Sequence, residues 1–307
     1  MSGQLRDRVA IITGAGRGIG REHALLFAAE GAKVVVNDLG GNLDGTGADA
    51  TPAQQVVDEI EAAGGQAVAN YDDVSDFEGA RRLVDQAVDT YGDLHVLVNN
   101  AGILRDRMLV NMTAEEWDAV VQVHLRGHFC PTRWAATYWR DQHKAGREGR
   151  RAIVNTTSVS GLFGNVGQAN YGTAKTGIAT FSVIANLELR RYGVRVNAIA
   201  PSAATRLIGT IPGEGSQEKS DDGWTPTDPA NVSPFVAYLA TEACPVEGRI
   251  FFVQGGEISL FQPFVIVDKI EKQAPWTIEE LQAQAPRFQS HPFPYNHWTA
   301  TQLLPNP

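Results

Sequence analysis

The chain has 307 residues, enough for one large α/β domain or two small ones, and its composition, 43% hydrophobic and 20% charged, is that of an ordinary soluble fold. A formal net charge of -9 excludes a general nucleic-acid binder, whose phosphate contacts need clustered Lys and Arg, while leaving room for local basic spots facing a phosphorylated ligand. Cys130 and Cys244 lie far apart without CxxC or Cys/His spacing, so neither a disulfide framework nor a metal site is indicated, and both read as buried small hydrophobes.

Val9 to Ile12 is a short β-branched run followed at once by TGAGRGIG and then by REHALLFAAEGA, whose apolar residues recur at helical spacing. This is a strand, a glycine turn and a helix. Gly14, Gly18 and Gly20, with Arg17 and Ile19 between them, allow a close backbone approach to a diphosphate that would sit at the helix amino terminus. The next strand, KVVVND, ends in Asp38, where a carboxylate can accept the two hydroxyls of an adenosine ribose but repels a 2′-phosphate. NAD is therefore favoured over NADP, with Arg17 the one residue that pulls the other way. Residues 39 to 52 read as a polar glycine-rich loop before the helix AQQVVDEIEAAGG. GQAVANYDDVSD supplies a third strand with Asp73 and Val74 at its end, near the expected adenine pocket. After the helix FEGARRLVDQAVDTYG, the strand LHVLVNNAG closes on Asn99, Asn100, Ala101 and Gly102, small residues that leave space for a ligand. Repeated strand-helix units with strands apolar throughout indicate a doubly wound parallel sheet of about seven strands, covered on both faces.

The loop ILRDRMLVNM carries Arg105, Asp106 and Arg107, a guanidinium pair that either meets a phosphate-bearing substrate or is solvated. One long helical region is expected from Ala114 to about His143, with His124 in it either a packing residue or a site residue. RAIVNTTS forms a strand ending at Ser158, and the helix that follows holds Tyr171 and Lys175 four residues apart on one face. A phenol is a poor base at neutral pH unless a neighbouring ammonium favours the phenolate. GVRVNAIAP is the sixth strand, ending at Pro201, and residues 202 to 230 form a long loop with the character of an active-site lid. A helix over NVSPFVAYLATEA and a last strand over GRIFFVQGG complete one domain, residues 1 to 256. Residues 257 to 307 are an aromatic- and Pro-rich extension expected to pack on this domain or on a partner subunit. The opening MSGQLRDRVAIITG leaves no room for a signal peptide, no apolar run approaches the roughly eighteen residues of a membrane helix, and LLPNP is not a peroxisomal address. A cytoplasmic location is expected.

Taken together, TGAGRGIG, Asp38, DDV at 72 to 74, NNAG, Ser158 thirteen residues before Tyr171, YGTAK and the NAIAP strand end resemble the short-chain dehydrogenase/reductase family over nearly the whole chain to Gly256. The resemblance implies a Rossmann fold and B-face hydride transfer between nicotinamide and a carbinol or ketone carbon. It makes Tyr171 the general acid/base and Ser158 the group holding the substrate oxygen. Lys175 would bond the nicotinamide ribose and lower the tyrosine pKa. Ala204 and Thr205, just past Pro201, would border the carboxamide. The family usually has Asn where this chain has His124, so an imidazole would replace the amide that holds a relay water. VVVNDLGG, NNAGILRDR, VHLRGHF and GNVGQANYGTAK are similar, more narrowly, to the (3R)-hydroxyacyl-CoA dehydrogenase domain of peroxisomal multifunctional enzyme type 2, the 17β-hydroxysteroid dehydrogenase type 4 group. That likeness implies NAD-dependent interconversion of a 3-hydroxyacyl-CoA, fatty or steroidal, with its 3-oxo form by a homodimer or homotetramer. Arg105, Arg107 and Arg206 would stand near the substrate entrance. Oxidation of a free hydroxysteroid or other secondary alcohol is the alternative, and a non-catalytic NAD-binding protein is the reading from another class.

Overall fold

Strands form where β-branched and small apolar residues run together between turn residues. They are β1 (Val9–Thr13), β2 (Lys33–Asn37), β3 (Gln66–Asn70), β4 (Val96–Asn99), β5 (Arg151–Thr156), β6 (Val194–Pro201), β7 (Ile250–Gln254) and β8 (Glu257–Phe261). The computed structural model describes residues 3–42, 44–204, 224–262 and 264–291. The helices are α1 (Gly18–Ala29), α2 (Thr51–Ala62), α3 (Phe77–Tyr91), α4 (Ala114–Val121), α5 (Gly127–Lys144), α6 (Val159–Phe163), α7 (Ala169–Leu189), α8 (Ser233–Ala240) and α9 (Ile278–Gln284). Their ends follow capping chemistry. Asp76 accepts from the Gly79 N–H to start α3, Gly92 closes it at φ 84°, and Thr113 with Glu116 forms a capping box on α4.

The strand order is β3-β2-β1-β4-β5-β6-β7-β8, parallel from β3 through β7. The chain winds outward from β1 in one direction and from β4 in the other, so the carboxyl ends of β1 and β4 flank the crevice at which such sheets bind ligands. One face is packed by Phe27, Val56, Ile60, Val236 and Leu239 from α1, α2 and α8. The other carries Leu83, Trp139 and Leu189 from α3, α5 and α7. Burying each large apolar side chain contributes roughly 1.5–3 kcal/mol. Trp139 also satisfies its indole N–H on the Leu94 carbonyl at 2.7 Å. At the amino edge of the sheet the buried Arg8, Arg151 and Arg195 donate to the carbonyls of Arg150, Leu94 and Leu239. These arginines are braces, which explains basic residues that serve no ligand. Both cysteines are free and buried.

Two elements depart from the sequence reading. GRIFFVQGG does not end the sheet, because Gly255 and Gly256 make a two-residue turn, Gly255 at φ 53°, that returns the chain as the antiparallel strand β8. The eighth strand thus lies beyond Gly256, where a separate extension was expected to begin. The single long helix is also divided: α4 passes through a π-helical turn, Gln122–Arg126, before α5 resumes. Pro131 stands inside α5 and has no N–H for the carbonyl four residues earlier, so the hydrogen-bond ladder is already interrupted close by. Past Phe261 the chain is largely exposed, Phe264 at 85% and Ile266 at 90%, and α9 is held to it by the Lys272–Glu280 ion pair, with Asp268–Arg287 just past its end.

Candidate active site

The glycine turn does what its spacing implies, and contacts across the crevice show why glycine is required. A Cβ on Gly14, at φ 63°, would lie 2.7 Å from the Ala101 Cα, and one on Gly20 would lie 2.2 Å from the Gly14 carbonyl oxygen. Asn100 locks the two strand ends together by donating its amide to the carbonyls of Thr13 and Gly14 at 3.0 and 3.1 Å. Thr13, a residue the sequence reading passes over, accepts the Asn100 N–H on its hydroxyl at 2.9 Å. The first turn of α1 carries no acidic residue and no side-chain cap, so its free N–H groups and positive dipole end open into the cleft. Asp38 accepts the N–H of Gly16 and of Gly40, each at 2.7 Å, one on each carboxylate oxygen. Every carboxylate oxygen has a second lone pair, so the group shapes the turn and still has acceptor capacity toward a diol.

A cleft of about 310 Å³ runs from this turn to Tyr171. Gly14, Arg17, Gly18, Ile19, Gly20, Asp38, Asp73, Val74, Asn100, Ala101, Gly102, His124, Tyr171, Lys175 and Pro201 all line it, as the sequence places them. Ala204 does not. Its N–H bonds the Thr227 carbonyl at 2.6 Å, and its neighbour Ala203 lines the cleft instead. Thr205 and Arg206 lie outside the described residues, as does most of the 202 to 230 loop. The steric gaps that only glycine fills, the open helix end and the carboxylate at the far rim together fit a nicotinamide dinucleotide.

At the inner end, Ser158 caps α6, accepting the Ser160 N–H at 3.2 Å, and its hydroxyl is near enough to Tyr171 to favour the phenolate. Lys175 is 2% exposed, and its Nζ donates to the Thr156 carbonyl at 2.6 Å and lies 5.5 Å from the Tyr171 ring centre. Thr157 donates its hydroxyl to the Lys175 carbonyl at 2.6 Å, so the NTTS run holds the lysine from both ends. Neither threonine stands out in the sequence; the signal was a cluster of small polar residues at a buried strand end. Burial holds the Lys175 ammonium down to a pKa of about 7. Burial also pushes the Tyr171 phenol up to about 12, against the Ser158 hydrogen bond and helped by the Asp106 charge. In the protein alone, then, desolvation dominates the phenol, in the opposite direction to the lowering expected from Lys175.

His124 sits in the π-turn, 2% exposed, with its ring edge-on to Tyr171 at 5.1 Å between centres. Its Nε2 lies 2.8 Å from the Ile103 carbonyl oxygen and 3.1 Å from the Ile103 N–H, so one tautomer donates there and the other accepts. Nδ1 is buried without a partner among the described residues. Burial and the nearby Lys175 keep the imidazole neutral, well below its usual pKa. The glycine of NNAG is the counterpart of this packing, since a Cβ on Gly102 would lie 2.3 Å from the His124 Cε1. One helical step on, the buried His128 accepts the Thr156 N–H at 3.4 Å. The loop arginines are engaged elsewhere than at a phosphate. Arg105 donates to the Asp44 carbonyl at 2.7 Å, latching the adenosine-side loop, and Arg107 pairs with Glu116 at 2.7 Å.

Comparison with known proteins agrees with this geometry. Residues 8–207 match the family profile described as short chain dehydrogenase. The hydroxyacyl-CoA dehydrogenase ChsB1 of Mycobacterium tuberculosis is 42% identical over 308 residues, covering 98% of this chain and 94% of that protein. Peroxisomal multifunctional enzyme type 2 of Mus musculus is 45% identical over 251 residues, which are 82% of this chain but 32% of that longer protein. A crystal structure of a short chain dehydrogenase from Mycobacterium avium superposes with a TM-score of 0.82 at 48% identity, covering 93% of this chain and 95% of that one.

The buried lysine has a measurable signature in stability. A folded-state pKa of about 7 against an ordinary 10.5 means that between those values the unfolded chain holds a proton the folded one lacks, so stability rises with pH across the window. Below it the full cost of a buried ammonium is present. Lys175→Met is therefore expected to stabilise the fold at pH 6, on the order of 1–4 kcal/mol, and by less at pH 10. Denaturant unfolding of both proteins at the two pH values checks the sign.

Proposed function

The chain belongs to the short-chain dehydrogenase family, oxidoreductases that act on CH–OH groups with a nicotinamide cofactor, and from that premise we propose that it interconverts a 3-hydroxyacyl-CoA and its 3-oxoacyl-CoA with NAD. The observation that carries the reading is the Ser158–Tyr171–Lys175 cluster, whose Tyr171 and Lys175 line the cleft, in a chain alike over 98% of its length to a protein named hydroxyacyl-CoA dehydrogenase. When bound, the dinucleotide supplies a hydride acceptor or donor. Ser158 holds the substrate oxygen. Tyr171 takes the hydroxyl proton in oxidation and returns it in reduction. A phenol that burial keeps protonated is ready as the acid for reduction, and oxidation needs the positive charge of Lys175 restored beside it. Lys175 does this while bonding the nicotinamide ribose, its position supported by the Thr156 carbonyl. His124 Nδ1, buried and unpartnered, bonds the relay water in place of the usual Asn amide.

Assay of short-, medium- and steroidal-chain 3-hydroxyacyl-CoA substrates with NAD is expected to give turnover with at least one class, and Tyr171→Phe to reduce it by at least about 10²-fold. Absence of turnover across the panel, or an undiminished Tyr171→Phe, would refute the reading. Turnover of a free hydroxysteroid but of no thioester would favour the alternative substrate class.

For the cofactor, the support is Asp38 at the end of β2, already aimed into the turn by two backbone N–H groups. Asp38→Ala is expected to lower the NAD/NADP ratio of kcat/KM about tenfold or more, and an unchanged ratio would assign the preference to another group.

The exposed apolar run from Phe264 to Val267, together with Ile184 and Leu187 exposed on α7, supports a homodimer or homotetramer in which the extension packs on a partner subunit. Light scattering at micromolar concentration should then report a multiple of 33.2 kDa. A monomer mass would overturn it. Among the described residues no helix is long and apolar enough to cross a membrane. A cytoplasmic location is part of the same proposal.

A further inference from the structure

We propose that Arg105 is a positioning residue for the cofactor: its guanidinium holds the loop after β2 across the cleft, over the place a dinucleotide's diphosphate takes, and so sets how slowly the cofactor leaves. The inference rests on the nicotinamide dinucleotide reading of the cleft.

The strand order fixes the path of this link. β1 lies between β2 and β4, and the glycine turn follows β1 directly. The loop, described over residues 39–42 and 44–49, leaves the carboxyl end of β2, whereas Ile103 and Arg105 follow the carboxyl end of β4. A bond between the two therefore crosses the end of β1. Arg105 Nε makes it, donating to the Asp44 carbonyl at 2.7 Å, while Nη1 reaches the Glu115 carbonyl at 3.4 Å. Gly45, at φ 83°, meets the same wall so closely that a Cβ on it would lie 2.8 Å from the Ile103 Cδ1. Gly41, Asn42 and Gly45 line the cleft together with Gly14, Gly18 and Ile103, so the loop and the glycine turn face one space.

The loop is built to present that carbonyl. Its base is closed by the Asp49 N–H on the Leu39 carbonyl at 3.0 Å and by the Gly40 N–H on Asp38 at 2.7 Å. Its tip is turned by Asp44, whose carboxylate accepts the Thr46 N–H at 2.9 Å and the Thr46 hydroxyl at 2.7 Å. Among the described residues, the Arg105 bond is the only hydrogen bond that joins residues 41, 42 and 44–48 to anything outside the loop. Arg105 is anchored in turn on the catalytic side. Its carbonyl accepts the Asn170 Nδ2 at 2.9 Å, and Asn170 Oδ1 accepts the Tyr171 N–H at 2.7 Å. The loop thus keeps its own shape but depends on one latch for its place over the cleft, and a hydrogen bond from a charged donor is worth about tenfold or more in an equilibrium.

The test follows release of NADH, or of NADPH if that is the form bound, by stopped-flow loss of nicotinamide fluorescence on mixing the complex with excess oxidised cofactor. Arg105→Met, which keeps the stem and loses the donors, is expected to speed release about tenfold. In equilibrium competition it should weaken ADP-ribose, which carries the diphosphate, by a similar factor, while adenosine, which lacks it, keeps its affinity. A merely structural role would weaken both alike. Arg105→Lys, which still donates to a carbonyl, should recover most of the slow release. Asp44→Ala loosens the tip from the other side and should speed release in the same direction, which carries the test should Arg105→Met fail to fold. Release at the wild-type rate, or adenosine weakened as much as ADP-ribose, overturns the proposal and leaves the dinucleotide reading standing. A wild type that binds neither NADH nor NADPH refutes that reading, and the latch with it.

Discussion

A lysine buried against a carbonyl is the constraint around which this molecule is arranged. Lys175 Nζ rests 2.6 Å from the Thr156 oxygen, at the carboxyl end of a central strand, with two neutral histidines and a phenol as neighbours. Such a charge is unfavourable in a dry interior, and among the described residues no carboxylate pairs with it to offset the cost. The protein tolerates it because the site serves by being short of negative charge: whatever binds there, or whatever proton leaves Tyr171, meets an ammonium with little else to satisfy it. The buried Nδ1 of His124 and hydroxyl of Thr156, both without partners among the described residues, belong to the same picture of a polar enclosure completed by what enters it.

The scaffold that holds this enclosure was readable from the residues to the extent that it depends on local pattern. Runs such as VAIIT and KVVVN can only be doubly covered strands, and a glycine turn between strand and helix has few other uses, so the parallel sheet and the cleft at its switch point followed. The fourfold spacing of Tyr171 and Lys175 placed them on one face for the same reason. What pattern could not supply was the outcome of competition between terms. Whether Lys175 lowers the tyrosine pKa or burial raises it depends on how much water each side chain loses, which is a property of the packed structure. The arginines of the ILRDR loop posed the same difficulty: a guanidinium in a loop is equally suited to a phosphate or to a carbonyl, and Arg105 found the Asp44 carbonyl. The eighth strand was missed for a simpler cause, since EISLF alternates and reads weakly beside the dense apolar runs before it, and the paired glycines that turn the chain back were taken as an end.

Contacts made for one purpose here constrain another. Arg105 ties the loop that carries Asp44 to the start of the Tyr171 helix, so the two walls of a long cleft are joined by hydrogen bonds. Gly102 leaves room for an imidazole against the cofactor-side strand, and Asp38 is both a scaffold acceptor for the turn and the acidic rim of the cleft. Residues with two obligations leave little freedom for exchange, which is why the motif segments read so clearly while the surface between them does not.

The π-turn at Gln122–Arg126 bears on how this stretch can vary in length. It holds one residue more than an α-helical turn would need, and each residue of an α-helix advances the chain by about 100°. The wide turn takes up that residue locally, so α5 keeps Trp139 and Cys130 on the core face while the turn itself sets how His124 stands against Tyr171. The extra residue is therefore a local adjustment: it bears on the direction of one buried imidazole and leaves the packing face of the long helix downstream in register with the core.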